Sequence, residues 1–348
     1  MIRSLRAIDF RCFDTVAVTI ESPRVFFTGQ NAQGKTSLLE AIAVATRLGS
    51  PRASRQSQMV REGAIGCGVA CETDQGLFKA IYQDRKFELS LDGVAEKKKD
   101  YLQKTPRVVW MENRDLDLIR GSGERRRRYL DAIGSQLSPV YAKALRDYTK
   151  ALRSRNALLK SPQGDERTLQ MFSELLVRNG EVLIQYRARI LEDLLPFIME
   201  AHHVISNGGE QFTLQYQPST TDLGPQLQES LPKDRIMKQT LVGPHRDDFL
   251  VLVDGRAASD FASEGQQRTL AVALRLAQGD LLRAQVVDAP VIFLVDDVFG
   301  ELDEMRRRAL MMAFPEECQV VLTTTHLNWG EVQGQVFQLE RYKISEIL

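Results

Sequence analysis

The chain has 348 residues, enough for one large domain or two ordinary ones, so a core can form without disulfide or metal staples. With 46 Lys and Arg against 46 Asp and Glu the formal charge is zero, which excludes a uniformly basic, histone-like surface and makes any nucleic-acid face local. Four cysteines without a CxxC pair and only four histidines exclude a zinc module and a disulfide framework, and a reducing cytoplasm is the expected compartment.

The N-terminus has no apolar h-region, and no stretch reaches the length of a membrane span, so neither export nor insertion is expected. Alternation predicts strands over 2–10, 16–20 and 25–28. Helical spacing of Leu38, Leu39, Ala41, Ile42 and Ala45 then predicts a helix over 35–48, stopped by Gly49-Ser50-Pro51. Further strands are expected over 68–71, 77–82 and 86–91. The even spacing of Cys67 and Cys71 puts both thiols on one side of a strand, as buried reduced cysteines or as a regulatory disulfide. From about 116 to 238 helical periodicity dominates, notably over 138–160 and 166–202, with one strand at 212–216. The α/β pattern returns with strand 249–253, helix 266–283, strand 291–295, helix 303–313 and strand 319–322. Two α/β halves flanking a helical arm are expected to complete one sheet in space, giving a head at 1–115 and 241–348 and an arm at 116–240.

Gly29-Gln30-Asn31-Ala32-Gln33-Gly34-Lys35-Thr36 fits G-x-x-x-x-G-K-[ST] between an apolar strand and a helix, where phosphate binding requires it. Backbone amides and the helix N-terminus cradle phosphate oxygens in such a loop. Lys35 is expected to reach the β- and γ-phosphates of ATP, and the Thr36 hydroxyl to coordinate Mg²⁺. The run 291–295 ends in Asp296-Asp297, the form of a Walker B strand: Asp296 is expected to hold Mg²⁺, and Asp297 to orient or deprotonate water. Ala262-Ser263-Glu264-Gly265-Gln266-Gln267-Arg268 opens a helix. Ser263 there reads as an ordinary N-cap, or as part of a signature motif of ABC-type ATPases that binds, with Gly265 and Gln266, the γ-phosphate of ATP held by another subunit. Glu301-Leu302-Asp303 is placed like a D-loop. Thr323-Thr324-Thr325-His326 ends a strand as a polar switch, with His326 as the phosphate sensor.

Between Arg120 and Lys160 stand eleven Lys/Arg and three Asp/Glu. Arg125, Arg126, Arg127, Arg128, Lys143, Arg146, Lys150 and Arg153 are candidate DNA contacts of a sequence-independent, salt-sensitive kind, with a solvated helix face or arginines fixing the arm as the alternative.

Residues 5–11 (LRAIDFR), the P-loop running into Ser37-Leu38-Leu39-Glu40-Ala41, 121–131 (GSGERRRRYLD), 243–249 (GPHRDDF), 263–269 (SEGQQRT) and 296–303 (DDVFGELD) together resemble the RecF family from end to end. That resemblance implies an ABC-type ATPase head, similar to the heads of SMC proteins but with a compact helical arm. The 229 residues from Gly34 to Ser263 are too few for a long coiled coil to run out and back. It further implies an ATP-dependent homodimer on gapped or duplex DNA, slow hydrolysis as a switch, and loading of the recombinase RecA with partners RecO and RecR in the response to DNA damage. Arg11 resembles a head-ATPase arginine that touches the nucleotide. Two departures stand out: Glu264 where the transporter signature has glycine, and Asp297 where ABC enzymes carry glutamate. Both suit a slow switch. A transporter ATPase subunit, or a related ATPase gating a separate effector, are the competing expectations.

Overall fold

The computed structural model describes residues 1–347 apart from 54, 162–164, 207–210, 287–288, 302–303 and 326–332. The chain opens with β1 (Ile2–Phe10), β2 (Phe13–Thr19), β3 (Arg24–Thr28), α1 (Lys35–Arg47), β4 (Gly66–Thr73), β5 (Gly76–Gln83), β6 (Lys86–Leu91), β7 (Val94–Ala95), α2 (Lys98–Lys104) and β8 (Arg107–Glu112). A mainly helical stretch follows: α3 (Asp117–Arg120), α4 (Gly123–Leu137), α5 (Pro139–Lys160), α6 (Glu166–Ser206), β9 (Phe212–Gln217), α7 (Leu223–Glu229) and α8 (Leu231–Met237). The remainder holds β10 (Asp248–Val253), β11 (Arg256–Ala257), α9 (Ala258–Phe261), α10 (Glu264–Gln285), β12 (Val291–Asp296), α11 (Glu304–Ala313), β13 (Gln319–Thr324), β14 (Gln335–Glu340) and β15 (Lys343–Ile347). These divide into two compact units, one of residues 1–113, 204–206 and 282–348, the other of 114–203 and 207–281.

The first unit contains two six-stranded sheets. In one, β2-β1-β4-β5-β6-β7, every pairing is antiparallel, and β1 alternates buried and exposed residues as a sheet with one covered face must. The other, β15-β14-β3-β13-β12-β8, is parallel from β14 to β8, with β15 returning antiparallel. Its inner strands are buried on both faces, so β12 (VIFLVD) and β13 (QVVLTT) carry continuous rather than alternating buried runs. Helix α1 places Leu38, Leu39 and Ile42 in one buried cluster with Leu5, Phe10 and Val69 of the first sheet and Val25, Phe27 and Leu294 of the second. The expected joining of sequence-distant strands is realised here, because β3 sits directly beside β13, which neighbours β12. Strands β8, β14 and β15 were not foreseen from the sequence.

Cys67 and Cys71 are buried on one side of β4, and all four cysteines are free thiols. Four residues of strand span about 13 Å, well beyond the Cα separation a disulfide bridges, so the regulatory pairing is excluded by geometry. Burial pushes the Cys67 thiol up to about 11 and that of Cys71 to about 12, consistent with inert core residues.

In the second unit α5 and α6 bury Tyr141, Tyr148, Leu176 and Leu183 in a common cluster. Arg155 is fully buried; its guanidinium donates to Asp234 Oδ2 and Thr240 Oγ1 at 2.7 Å each and to Ser173 Oγ at 3.0 Å. Residues 241–281 lie in this unit, whereas the sequence suggested a head boundary at 241. The physical reason is strand pairing: β10 is antiparallel to β9 along its whole length, from Asp248 opposite Gln217 to Val253 opposite Phe212. Helix α10 is held to α4 by Tyr129, whose hydroxyl donates to the Leu274 carbonyl at 2.6 Å, and to residue 115 by an Arg275–Asp115 ion pair at 2.5 Å.

Candidate functional site

The loop 29–34 turns because two glycines adopt backbone conformations denied to other residues. Gly29 has φ 140°, and a Cβ there would lie 2.4 Å from the Leu339 carbonyl oxygen of β14. Gly34, at φ 94°, caps α1 and would drive a Cβ into Phe13 and the Cys12 sulfur. Gln33 is fixed from the β14–β15 turn, where the Arg341 amide donates to its Oε1 at 2.5 Å. Gln30, Asn31 and Ala32 are exposed at the loop's crest. Lys35 is nearly buried, and its ammonium donates to the Gly29 and Gln30 carbonyls at 2.5 and 2.9 Å. Burial lowers its pKa, opposed by the neighbouring charges of Asp297 and Asp296. A cation held inside a curl of amides at a helix N-terminus is built for a polyphosphate.

The acidic edge meets this loop. The Thr36 hydroxyl donates to Asp296 Oδ1 at 2.7 Å, and the Thr323 hydroxyl donates to the same oxygen at 2.9 Å. Asp297 follows in the left-handed region at φ 55°, its amide donating to Thr323 Oγ1 at 3.1 Å and its carbonyl accepting from Asn113 Nδ2 at 3.2 Å. A carboxylate and a hydroxyl converging on one point fit a hard divalent cation such as Mg²⁺, which Thr36 and Asp296 would hold. Thr323 was visible in the sequence only as part of the polar switch 323–326; its junction role comes from the register that sets it opposite Asp296.

Arg11 stands at the β1–β2 turn with φ 55°, and its guanidinium pairs with the buried Glu40 of α1 at 2.7 Å and donates to the Gln58 carbonyl at 2.6 Å. The expected nucleotide contact therefore has a structural competitor. Ser263 and Gln266 form a reciprocal capping box at the start of α10: the Gln266 amide donates to Ser263 Oγ at 3.3 Å, and the Ser263 amide donates to Gln266 Oε1 at 2.7 Å. The N-cap reading is thus realised, and Gln267, donating to the carbonyls of Ala258, Ser259 and Ala262, fixes the turn before it. Gly265 lies in the first turn, its carbonyl accepting from Thr269 Oγ1 at 3.0 Å. Ser263, Gly265 and Gln266 belong to the second unit, Lys35, Thr36, Asp296 and Asp297 to the first. Asp303 and His326 lie outside the described residues.

The basic candidates separate into two groups. Arg126 is buried and makes a bidentate pair with Asp248 at 2.6 and 2.9 Å, while Arg127 donates to the Asp247 carbonyl at 2.7 Å. Burial raises the pKa of Asp248, but Arg126 outweighs it and holds the carboxylate below its usual range. These two arginines therefore fasten α4 to the GPHRDDF segment, the anchoring role that stood as the alternative to DNA contact. Arg125 lies 3.9 Å from Asp117, and Arg128 pairs with Glu124 one turn away. Lys143, Arg146, Lys150 and Arg153, by contrast, form an exposed row along α5, with only Asp147 set among them. In the GPHRDDF segment, His245 Nε2 lies 3.0 Å from the Thr240 carbonyl and Nδ1 2.7 Å from the Tyr148 hydroxyl, and burial lowers its pKa, so the ring is a neutral structural link.

The family described as AAA domain matches residues 4–177. A DNA replication and repair protein RecF from Synechococcus sp. strain JA-2-3B'a(2-13) is 35% identical over 94% of this chain and 91% of its own length. The protein of that name from Acaryochloris marina strain MBIC 11017 is 34% identical over 94% and 93%. The chain belongs to the RecF family. A solved structure of the recombination mediator protein RecF-ATPrS of the RecFOR pathway superposes on this RecF-family chain with TM-score 0.89 at 27% identity, covering 100% of it and 98% of that chain. An Smc head covers 99% and 97% at TM-score 0.58 and 14% identity, which establishes the shared head fold alone. RecF-family membership and this fold make the chain a DNA replication and repair ATPase with a P-loop.

Proposed function

We propose that this chain binds ATP with Mg²⁺ at Lys35, Thr36 and Asp296, dimerises in response, and uses slow hydrolysis to release DNA. The observation that carries this reading is the convergence of the P-loop ammonium, the Thr36 hydroxyl and the Asp296 carboxylate at the ends of β3 and β12, the two strands that flank β13. Bound Mg²⁺ would neutralise phosphate charge. Lys35 supplies the fixed positive charge, Asp297 orients the attacking water, and Ser263 with the amides of the α10 start, offered by a second copy, completes the γ-phosphate site. A single subunit then lacks half of each site, which makes dimerisation the sensor of ATP. Family membership supports roles for RecO, RecR and RecA as partners at single-strand gaps in the cytoplasm. No helix among the described residues is long and apolar enough to cross a membrane.

The α5 row supports DNA binding through phosphates. Replacing both Arg146 and Lys150 with alanine is expected to lower the slope of log affinity against log salt by about 2 for a gapped duplex, without changing sequence preference. Fluorescence anisotropy at several salt concentrations measures this, and an unchanged slope would move the DNA surface elsewhere.

A further inference from the structure

We propose that Thr323 is a positioning residue for the ATPase reaction, coupling the P-loop to the turn that carries Asp297 through its hydroxyl; this rests on the nucleotide-site reading above. Strand β13 lies between β3, which leads into the P-loop, and β12, which ends in Asp296. At its C-terminal end Thr323 pairs in register with Asp296 on one side and Phe27 on the other. The side chain is fully buried, directly after the apolar run Val320, Val321 and Leu322.

A threonine hydroxyl has one proton to give and lone pairs to accept. Here the proton goes to Asp296 Oδ1 at 2.9 Å, and a lone pair receives the Asp297 amide at 3.1 Å. The Asp296 oxygen also accepts from Thr36 at 2.7 Å, so one hydrogen-bonded path runs from the P-loop hydroxyl through Asp296 and Thr323 to the Asp297 backbone. Two consequences follow. Asp296 Oδ1 is fixed between two donors, which leaves its carboxylate one orientation beside Thr36. Asp297, at φ 55°, sits in the left-handed region, which aspartate tolerates better than most residues, and the hydrogen bond from its amide to Thr323 fixes the turn in that form. A valine of the same shape would leave Asp296 with one donor fewer and the Asp297 amide without this acceptor.

The test compares Thr323→Val with Thr323→Ser in the full-length protein, using a fluorescent ATP analogue and titrated Mg²⁺, alongside single-turnover hydrolysis. Thr323→Val is expected to raise the half-saturating Mg²⁺ concentration roughly tenfold and to slow hydrolysis roughly 10- to 100-fold, while Thr323→Ser stays within about threefold of wild type. Wild-type Mg²⁺ dependence in Thr323→Val would overturn the proposal, as would a serine variant as impaired as the valine one. Should Thr323→Val not fold, Thr323→Cys, which fills the space with a weakly hydrogen-bonding thiol, decides: a raised Mg²⁺ requirement supports the hydroxyl's role, and wild-type values overturn the proposal. Failure of the wild type itself to bind the analogue would instead remove the nucleotide-site reading.

Discussion

Lys35→Ala is expected to weaken ATP binding roughly 100-fold, measured by titration of the nucleotide in the presence of Mg²⁺. The ammonium is already desolvated and held in the loop by the Gly29 and Gln30 carbonyls, so little reorganisation is needed for it to meet a phosphate. A charge-assisted contact in such surroundings is worth about 3 kcal/mol, and alanine forfeits it. Because the loop's shape depends on Gly29 and Gly34 rather than on the lysine side chain, the variant should fold normally and fail only at the ligand. Affinity within about threefold of wild type would show that the loop's amides suffice.

The second large effect is structural. Arg187→Met is expected to destabilise the second unit by about 3–5 kcal/mol, read from its urea unfolding midpoint. Arg187 is buried, donating to Asp131 at 2.8 Å, to Asp247 at 3.3 Å, to the Pro244 carbonyl at 2.6 Å and to Tyr141 Oη at 3.2 Å. Burial works against its charge, but Asp131 and the neighbouring hydrogen bonds outweigh it, so its pKa is held above the usual range. Asp247 is itself buried and shares its carboxylate with Tyr216 and the Ser219 amide. Methionine fills much of the volume yet strands that carboxylate without its cation. A midpoint unchanged from wild type would mean that Tyr216 and Ser219 satisfy Asp247 alone.

The contrast between these two residues shows what a sequence discloses. Lys35 was legible because phosphate binding needs a fixed local spacing, one glycine to turn the chain and another to free the helix start, and local spacing is written directly in the residues. Strand β12 was legible for a similar reason: a strand buried on both faces is a continuous apolar run. Arg126 carried two readings, DNA contact and structural anchor, because composition reports charge without direction. What turns Arg126 inward is Asp248, 122 residues later, and nothing in a run of four arginines marks which of them has such a partner. Strand β8 was missed because its short run Val108–Met111 acquires meaning only through pairing with β12, from Val291 opposite Arg107 to Asp296 opposite Glu112. The hairpin of β14 and β15 was missed because its outward residues are polar, leaving few apolar positions to mark it. Ser263 carried two readings, helix cap and phosphate ligand; the capping box realises the first with atoms that also leave its hydroxyl at the helix start, where an incoming γ-phosphate would meet it.

In the proposed mechanism ATP assembles two copies into one complete pair of sites. Solution mass by light scattering, with and without ATP and Mg²⁺, tests it most directly. The expected result is a shift from monomer to dimer that requires both nucleotide and metal and is lost in Lys35→Ala; a mass indifferent to ATP, in protein shown to bind it, would contradict ATP-driven assembly and leave Ser263 as a helix cap alone.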